Sequence, residues 1–254
     1  MALISGVNLF IMKQRFFNIL GIPIVHSDYH SFIELLEEKI RENKKTFVVT
    51  ANPEIIMRAY KDKEYEGYLK KADYITADGI GVVIASKMLN EPLPGRVSGT
   101  DMMLELLEHA NQNRFRVYFL GATEPVLDLF LKNVHEQYPQ VEIVGSHNGF
   151  FDWNDNNIKE TIKSTEPDLI FVALGVPKQE QWIAEHLDYF QKGIFMGVGG
   201  SFDVIAGVVK RAPKTWQKLN LEWLYRLIKQ PSRWKRMLAI PHFLFKVVIQ
   251  KLGR

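Results

Sequence analysis

Six short runs of this chain repeat one grammar, which restricts the fold more than any other feature: an apolar, β-branched or aromatic stretch ends at or near Gly, Asn or Asp, and a helical pattern follows. The runs are FVVT (47–50), ADYITADG (72–79), RVYFLGAT (116–123), VEIVGSHNG (141–149), DLIFVALG (168–175) and GIFMGVGGS (193–201). They are apolar on both sides instead of alternating, which suits strands buried between two helical layers of a parallel sheet. Helical patterns fill the intervals near 31–45, 53–70, 80–89, 100–113, 124–137, 155–165, 177–190 and 202–209. Thr100 and Asp101 stand where they can cap one helix, and Pro125 and Pro177 where a first-turn proline is tolerated. The expected class is α/β, an open and mainly parallel sheet with helices on both faces, whose ligands bind beyond the carboxyl ends of the strands.

Composition breaks once along the 254 residues, near Lys210. From there to Arg254 the chain has 12 Lys/Arg against a single acid, Glu222, whereas residues 1–209 have 20 basic and 28 acidic residues. The net charge of +3 therefore conceals a body of −8 and a tail of +11. The expected division is a leader at 1–17, an α/β domain at 18–209 and a basic helical appendage at 210–254. Without cysteine the chain forms no disulfide and offers no thiolate to a metal or cluster. The leader's first positive charge, Lys13, follows its apolar stretch and no small-residue cleavage pattern comes after it, so it reads as an extra strand or flexible leader of a cytoplasmic protein. No apolar run approaches the roughly 18–20 residues of a spanning helix, so any membrane contact is expected at the surface.

Several strand ends carry residues suited to chemistry. Asp78, between a strand and Gly79, reads either as a helix N-cap or as a carboxylate at the base of a cleft, able to take a proton from a hydroxyl. GVGGSFD (197–203) is a glycine-rich turn into a helix, where backbone amides can meet a diphosphate; the plain alternative is a tight turn without ligand. It matches neither the dinucleotide fingerprint nor a Walker loop. In ALGVPKQEQW (173–182), Lys178 and Gln179 either project into the same cleft or form a solvated helical turn. Arg96, in the loop EPLPGRVSG, suits an anion clamp or is a surface charge. His26 and His30 have a chelating spacing, but HSDYH lacks the zincin glutamate and precedes its helix, so no metal is expected.

In the tail, Leu219, Trp223, Leu224, Leu227 and Ile228 recur at helical spacing, beside Arg226, Lys229, Arg233, Lys235 and Arg236. Basic residues interleaved with Trp216, Trp223 and Trp234, followed by FLFKVVI (243–249), suit an anionic membrane surface better than nucleic acid. A packed C-terminal helix is the plain alternative. The apolar face of a detached tail would invite self-association, so a homo-oligomer is possible.

In their order and spacing, TANPE (50–54), ADGIGVV (77–83), ALGVPKQE (173–180), GVGGSFDVIAG (197–207), RAP (211–213) and EWLYRL (222–227) resemble the bacterial WecG/TagA/CpsF glycosyltransferase family, and the EWLYRL…PSRWKRM ending is most similar to its TagA branch. The resemblance implies a Rossmann-like fold and inverting transfer of N-acetylmannosamine from UDP-N-acetylmannosamine to the 4-hydroxyl of N-acetylglucosamine on undecaprenyl diphosphate. Relatives on the same scaffold use a uronic acid or glucose donor, and Lys178 would suit the former. A non-catalytic nucleotide-binding module with a basic arm is the alternative from another class. The resemblance gives Asp78 the role of base and makes Thr50, Asn52, Arg96 and Gln179 pocket residues, with no cofactor and no metal. Gly199, Gly200 and Ser201 are assigned to the UDP diphosphate. Arg226, Arg233 and Arg236 match arginines of an appendage implicated in membrane attachment and completion of the site, which places the protein peripherally on the inner face of the cell membrane.

Overall fold

The computed structural model describes residues 14–153, 156–219, 221–229, 231, 234 and 238–253. Residues 1–13 of the expected leader lie outside them. The described chain opens with an antiparallel hairpin, β1 (Phe16–Ile19) and β2 (Ile22–Val25), whose first strand begins inside the expected leader, for which an extra strand is one of two readings; its pairing with β2 is not foreseen. Its turn is Leu20–Gly21, both with positive φ (50° and 92°), the geometry that matches strand twist in a two-residue hairpin. Then follow α1 (Tyr29–Arg41), β3 (Lys45–Ala51), α2 (Pro53–Lys61), α3 (Lys63–Lys70), β4 (Tyr74–Ala77), α4 (Ile80–Met88), α5 (Gly99–Asn113), β5 (Arg116–Gly121) and α6 (Glu124–Gln137). After these come β6 (Glu142–His147), α7 (Asn157–Thr165), β7 (Leu169–Ala173), α8 (Lys178–His186), β8 (Gly193–Gly197) and α9 (Ser201–Ile205). The tail holds α10 (Lys214–Lys218), α11 (Glu222–Lys229) and α12 (Ala239–Leu252).

Strands β3 to β8 form one sheet in the order β4-β3-β8-β7-β5-β6, every neighbouring pair parallel. The expected Rossmann-like α/β architecture is therefore present. Strand periodicity divides the core between two faces. Phe47, Val49, Tyr118, Leu120, Ile170, Val172 and Phe195 point to one side, under α2, α3, α4, α7 and α8. Val48, Val117, Phe119, Leu169, Phe171, Ile194 and Met196 point to the other, under α1, α5, α6 and α9.

Two local readings need correction. The single helix expected over 53–70 is two, because Asp62 leaves helical geometry (φ −120°, ψ 106°) and its carboxylate caps the N–H groups of Glu64 and Tyr65. Thr100 and Asp101 do not cap α5; the N-cap is Ser98, and both side chains turn to tertiary partners instead.

The C-terminal stretch read as a membrane-seeking run is divided by its helix. Phe243 and Val247 of α12 are fully buried against the sheet's first face, with α2 and α4 as neighbours. Gln250 reaches back to the hairpin, accepting from the Leu20 N–H (2.9 Å) and donating to the Asn18 carbonyl (3.0 Å). The opposite side carries Phe245, Ile249 and Leu252 in solvent, at 62, 48 and 80% exposure. No helix among the described residues is long and apolar enough to cross a membrane. Phe243→Ala is expected to cost about 3–5 kcal/mol in urea-induced unfolding monitored by circular dichroism, as for other buried aromatic truncations; a loss under about 1 kcal/mol would mean that α12 is not part of the core in solution.

Candidate active site

Adjacent strands β3 and β8 send their chains to opposite faces: α2 covers the first core and α9 the second. Such a divergence opens a crevice beyond the strand ends. Here it is a cleft of about 560 Å³. Thr50, Asn52, Asp78, Arg96, Gln179, Gly199, Gly200 and Ser201, proposed separately from the sequence, all line it.

The floor comes from β3 and β4, whose parallel register sets Thr50 beside Thr76. One residue past β4, Asp78 donates its N–H to the Ala51 carbonyl (2.9 Å), which fixes its backbone at the cleft base. The N-cap of α4 is Gly79, at φ 85°, so the capping reading of Asp78 does not hold. Asn52 is the N-cap of α2, its Oδ1 accepting from the Ile55 N–H at 3.0 Å. Gly99 lets α5 approach closely, since a Cβ there would stand 2.7 Å from the Thr50 hydroxyl.

The opposite wall is the turn after β8. Its Gly199 N–H is donated to Gln179 Oε1 (3.0 Å), and Ser201 gives both its N–H and its hydroxyl to the Val198 carbonyl. Ser201 Oγ also pairs with Thr100 Oγ1 at 2.8 Å, tying α9 to α5. Gln179 donates in turn from Nε2 to Glu180 Oε1 at 2.7 Å. Burial pushes the Glu180 carboxyl up to about 7, against the opposing pull of its hydrogen bond from Gln179, of the backbone and the nearby Tyr65 phenol, and of the Arg58 charge. The neighbouring Tyr65 phenol is raised far above its ordinary value by burial first and the Glu180 charge second, with smaller opposing and reinforcing effects from Arg58 and Glu54.

The loop EPLPGRVSG, which carries Arg96, and the tail meet in a ring of alternating charge. Arg96 Nη1 donates to Glu222 Oε2 (3.3 Å) and Nη2 lies 3.8 Å from Asp101; Arg211 Nε lies 3.7 Å from Glu222 Oε1, and Arg211 Nη2 donates to Asp101. The tail's single acid is thus buried (8% exposed) between two arginines, one of them in the cleft. Trp223 and Ile240 complete the wall, so the expected membrane-facing stripe is split: Trp223 faces the cleft, while Leu219 and Ile228 are exposed. Glu222, Trp223, Ile240, Arg211 and Glu180 were not singled out as site residues. Glu222 alone carried a signal, as the one acid in a strongly basic segment.

Of the three tail arginines, Arg226 falls on α11, the helix that supplies Glu222 and Trp223; Arg233 and Arg236 lie outside the described residues. His26 bonds the Pro92 carbonyl (3.0 Å), and among the described residues no three His, Asp or Glu side chains converge as metal ligands.

Residues 17–254 match the model of the glycosyl transferase WecG/TagA/CpsF family. Among similar proteins, the N-acetylglucosaminyldiphosphoundecaprenol N-acetyl-beta-D-mannosaminyltransferase of Bacillus spizizenii W23 is 41% identical over 228 residues, covering 89% of this chain and 88% of its own. Its namesake in Bacillus subtilis 168 is also 41% identical, covering 92% and 91%, and that of Staphylococcus aureus MW2 is 38% identical, covering 92% of each.

The raised Glu180 carboxyl sets a pH dependence. The folded state holds its proton up to about pH 7 while the unfolded chain releases it near its ordinary value of 4.5, so this group's contribution to stability falls as pH rises through that window. Glu180→Gln removes the ionisable form. Its thermal midpoint should match wild type at pH 5 and exceed it at pH 8 by the equivalent of a few kcal/mol, on the order of 3; equal differences at both pH values would contradict the assignment.

Proposed function

The chain belongs to the WecG/TagA/CpsF glycosyltransferase family, and we propose that it transfers N-acetylmannosamine from UDP-N-acetylmannosamine to the 4-hydroxyl of N-acetylglucosamine carried on undecaprenyl diphosphate. The observation that carries the reading is the convergence of Asp78, Thr50, Asn52, Arg96 and Gln179 on one cleft at the switch point of the sheet.

Inverting transfer is a single displacement. The acceptor O4 attacks the anomeric carbon from the face opposite the diphosphate; the C1–O4 bond forms while the bond from C1 to the diphosphate oxygen breaks. Asp78 takes the hydroxyl proton, and UDP leaves with the electron pair. Thr50 and Asn52, beside Asp78 on the floor, orient the reacting sugars. The leaving diphosphate gathers negative charge, which Arg96 offsets as a preorganised cation. The turn Gly199, Gly200 and Ser201 gives the diphosphate close approach because it carries no bulky side chain. Its Gly199 and Ser201 amides are bonded within the protein, so its contribution lies in shape more than in donated hydrogen bonds.

The lipid-linked acceptor brings its own diphosphate to a membrane surface. Residues 18–209 act as the catalytic domain, and the +11 tail from Lys210 holds the enzyme on the anionic inner face of the membrane. The exposed apolar side chains Phe245, Ile249 and Leu252 of α12 and the exposed Trp234 support that contact. Arg226, Arg233 and Arg236 are assigned to the lipid diphosphate.

The test is incubation with a short-chain prenyl-diphosphate N-acetylglucosamine acceptor and a panel of UDP-sugars, scored by UDP release and product mass. Turnover is expected with UDP-N-acetylmannosamine, and turnover only with a uronic acid or glucose donor would overturn the donor assignment. Asp78→Asn should lower kcat at least about a hundredfold with donor affinity unchanged, the usual scale for loss of a general base. A kcat near wild type removes Asp78 from that role. Arg226→Glu should weaken use of the lipid-linked acceptor at least about tenfold, as expected for losing a charge-assisted contact, without changing UDP binding; equal loss of both contradicts the assignment.

A further inference from the structure

Glu180 is the one acid of the α8 start that does not line the cleft, and burying it is unfavourable. It is 1% exposed, and desolvation outweighs the hydrogen bonds and the Arg58 charge that favour its ionised form. An apolar residue would fill the space without that cost. What distinguishes the carboxyl is the hydrogen bond it accepts from Gln179 Nε2 at 2.7 Å. We propose that Glu180 is a positioning residue of the cleft: its carboxyl fixes the side-chain amide of Gln179, so that the Gln179 oxygen holds the Gly199 turn in the shape that the donor diphosphate meets. The link from Glu180 through Gln179 to Gly199 stands on geometry alone; its effect on the donor rests on the glycosyltransferase reading above.

A glutamine amide has a donor end and an acceptor end of nearly equal size, so packing alone leaves its orientation open. Here both ends are committed. Oε1 accepts from the Gly199 N–H at 3.0 Å while Nε2 donates to Glu180. Turning the amide over would set NH2 against the N–H of Gly199, losing that buried hydrogen bond whatever the state of Glu180, and an oxygen against Glu180 Oε1, losing the second when the carboxyl is ionised. The amide is also held sterically. Gln179 is 4% exposed, and a Cβ on Gly197 would stand 2.6 Å from its Nε2, so β8 leaves that space to the amide. The turn needs an outside hold, because Gly199 sits at φ +52° with a glycine on its C-terminal side, where the backbone has unusual freedom. Glu180 lies on the core side of α8 next to Tyr65 of α3 and acts only through Gln179.

The first readout needs no ligand. In protein labelled with 15N-glycine, the Gly199 amide resonance of Glu180→Gln should coincide with wild type, since the new amide oxygen still accepts from Gln179. Glu180→Leu, which has no acceptor, and Gly197→Ala, which displaces the Gln179 amide without touching the buried carboxyl, should both move that resonance upfield and speed its exchange with solvent. If Glu180→Leu does not fold, Gly197→Ala carries the test. An unmoved Gly199 resonance in the folded variants overturns the proposal, because a merely structural role lowers stability without altering the turn.

The second readout uses UDP-N-acetylmannosamine. KM for the donor should rise about tenfold in Glu180→Leu, the scale of one lost hydrogen bond, with kcat little changed, and Glu180→Gln should restore the wild-type value. A fall in kcat at constant KM contradicts the donor half of the proposal. Displaced Gly199 resonances in protein that binds no UDP-sugar would leave the link standing and remove the glycosyltransferase reading on which its donor effect rests.

Discussion

Two neighbouring strands that send their chains to opposite faces of one sheet create everything found at the cleft. β3 turns into α2 over the first core and β8 turns into α9 over the second, which leaves the cleft between their ends. The sheet is parallel, so all six strand ends of like polarity share that edge, and residues far apart in sequence meet there. The depth of the cleft follows from small residues at its walls. Gly99 lets α5 descend onto Thr50, and Gly197 leaves room for the Gln179 amide.

The second organising feature is electrostatic. A +11 tail beside a −8 body gains from general attraction, but that attraction does not choose a docking geometry. The ring of Arg96, Glu222, Arg211 and Asp101 does. Each charge faces opposite partners, so α11, which carries Glu222, comes to rest with Trp223 in the cleft wall. Half-buried pairs of this kind add little net stability over apolar packing, yet removing one member leaves the buried Glu222 or its arginines without a full set of partners. The ring therefore specifies position, while Phe243 and Val247 of α12 supply the apolar burial that anchors the end of the chain.

The sheet was legible because its strands are apolar on both sides and its turns carry Gly, Asn or Asp, signals that are local. Co-location of Thr50, Asn52, Asp78, Arg96, Gln179, Gly199, Gly200 and Ser201 was legible for a related reason: each lies just past a strand end or in the loop EPLPGRVSG, and a parallel sheet brings such ends together. What escaped the sequence depends on tertiary choice. Thr100 and Asp101 have capping chemistry, but Ser201 and Arg211 offered better partners. Asp62 ends one helix and begins the next within a run whose periodicity continues through it. Arg96 and Glu222 are 126 positions apart, and nothing in either neighbourhood announces the other. FLFKVVI reads as an apolar stretch broken only by Lys246, whereas the helix buries Phe243 and Val247 and exposes Phe245, because position around the helix decides between core and solvent.

Under the proposed function, the donor nucleotide-sugar binds between the ends of β3 and β8. Titration of 15N-glycine-labelled protein with UDP-N-acetylmannosamine tests it most directly. Gly79, Gly99, Gly175, Gly199 and Gly200, which line the cleft, should shift together along one saturating curve, while Gly67 in α3 and Gly145 in β6 stay in place. Saturable shifts at Gly67 or Gly145 with the cleft glycines unmoved would place the donor elsewhere and contradict the account.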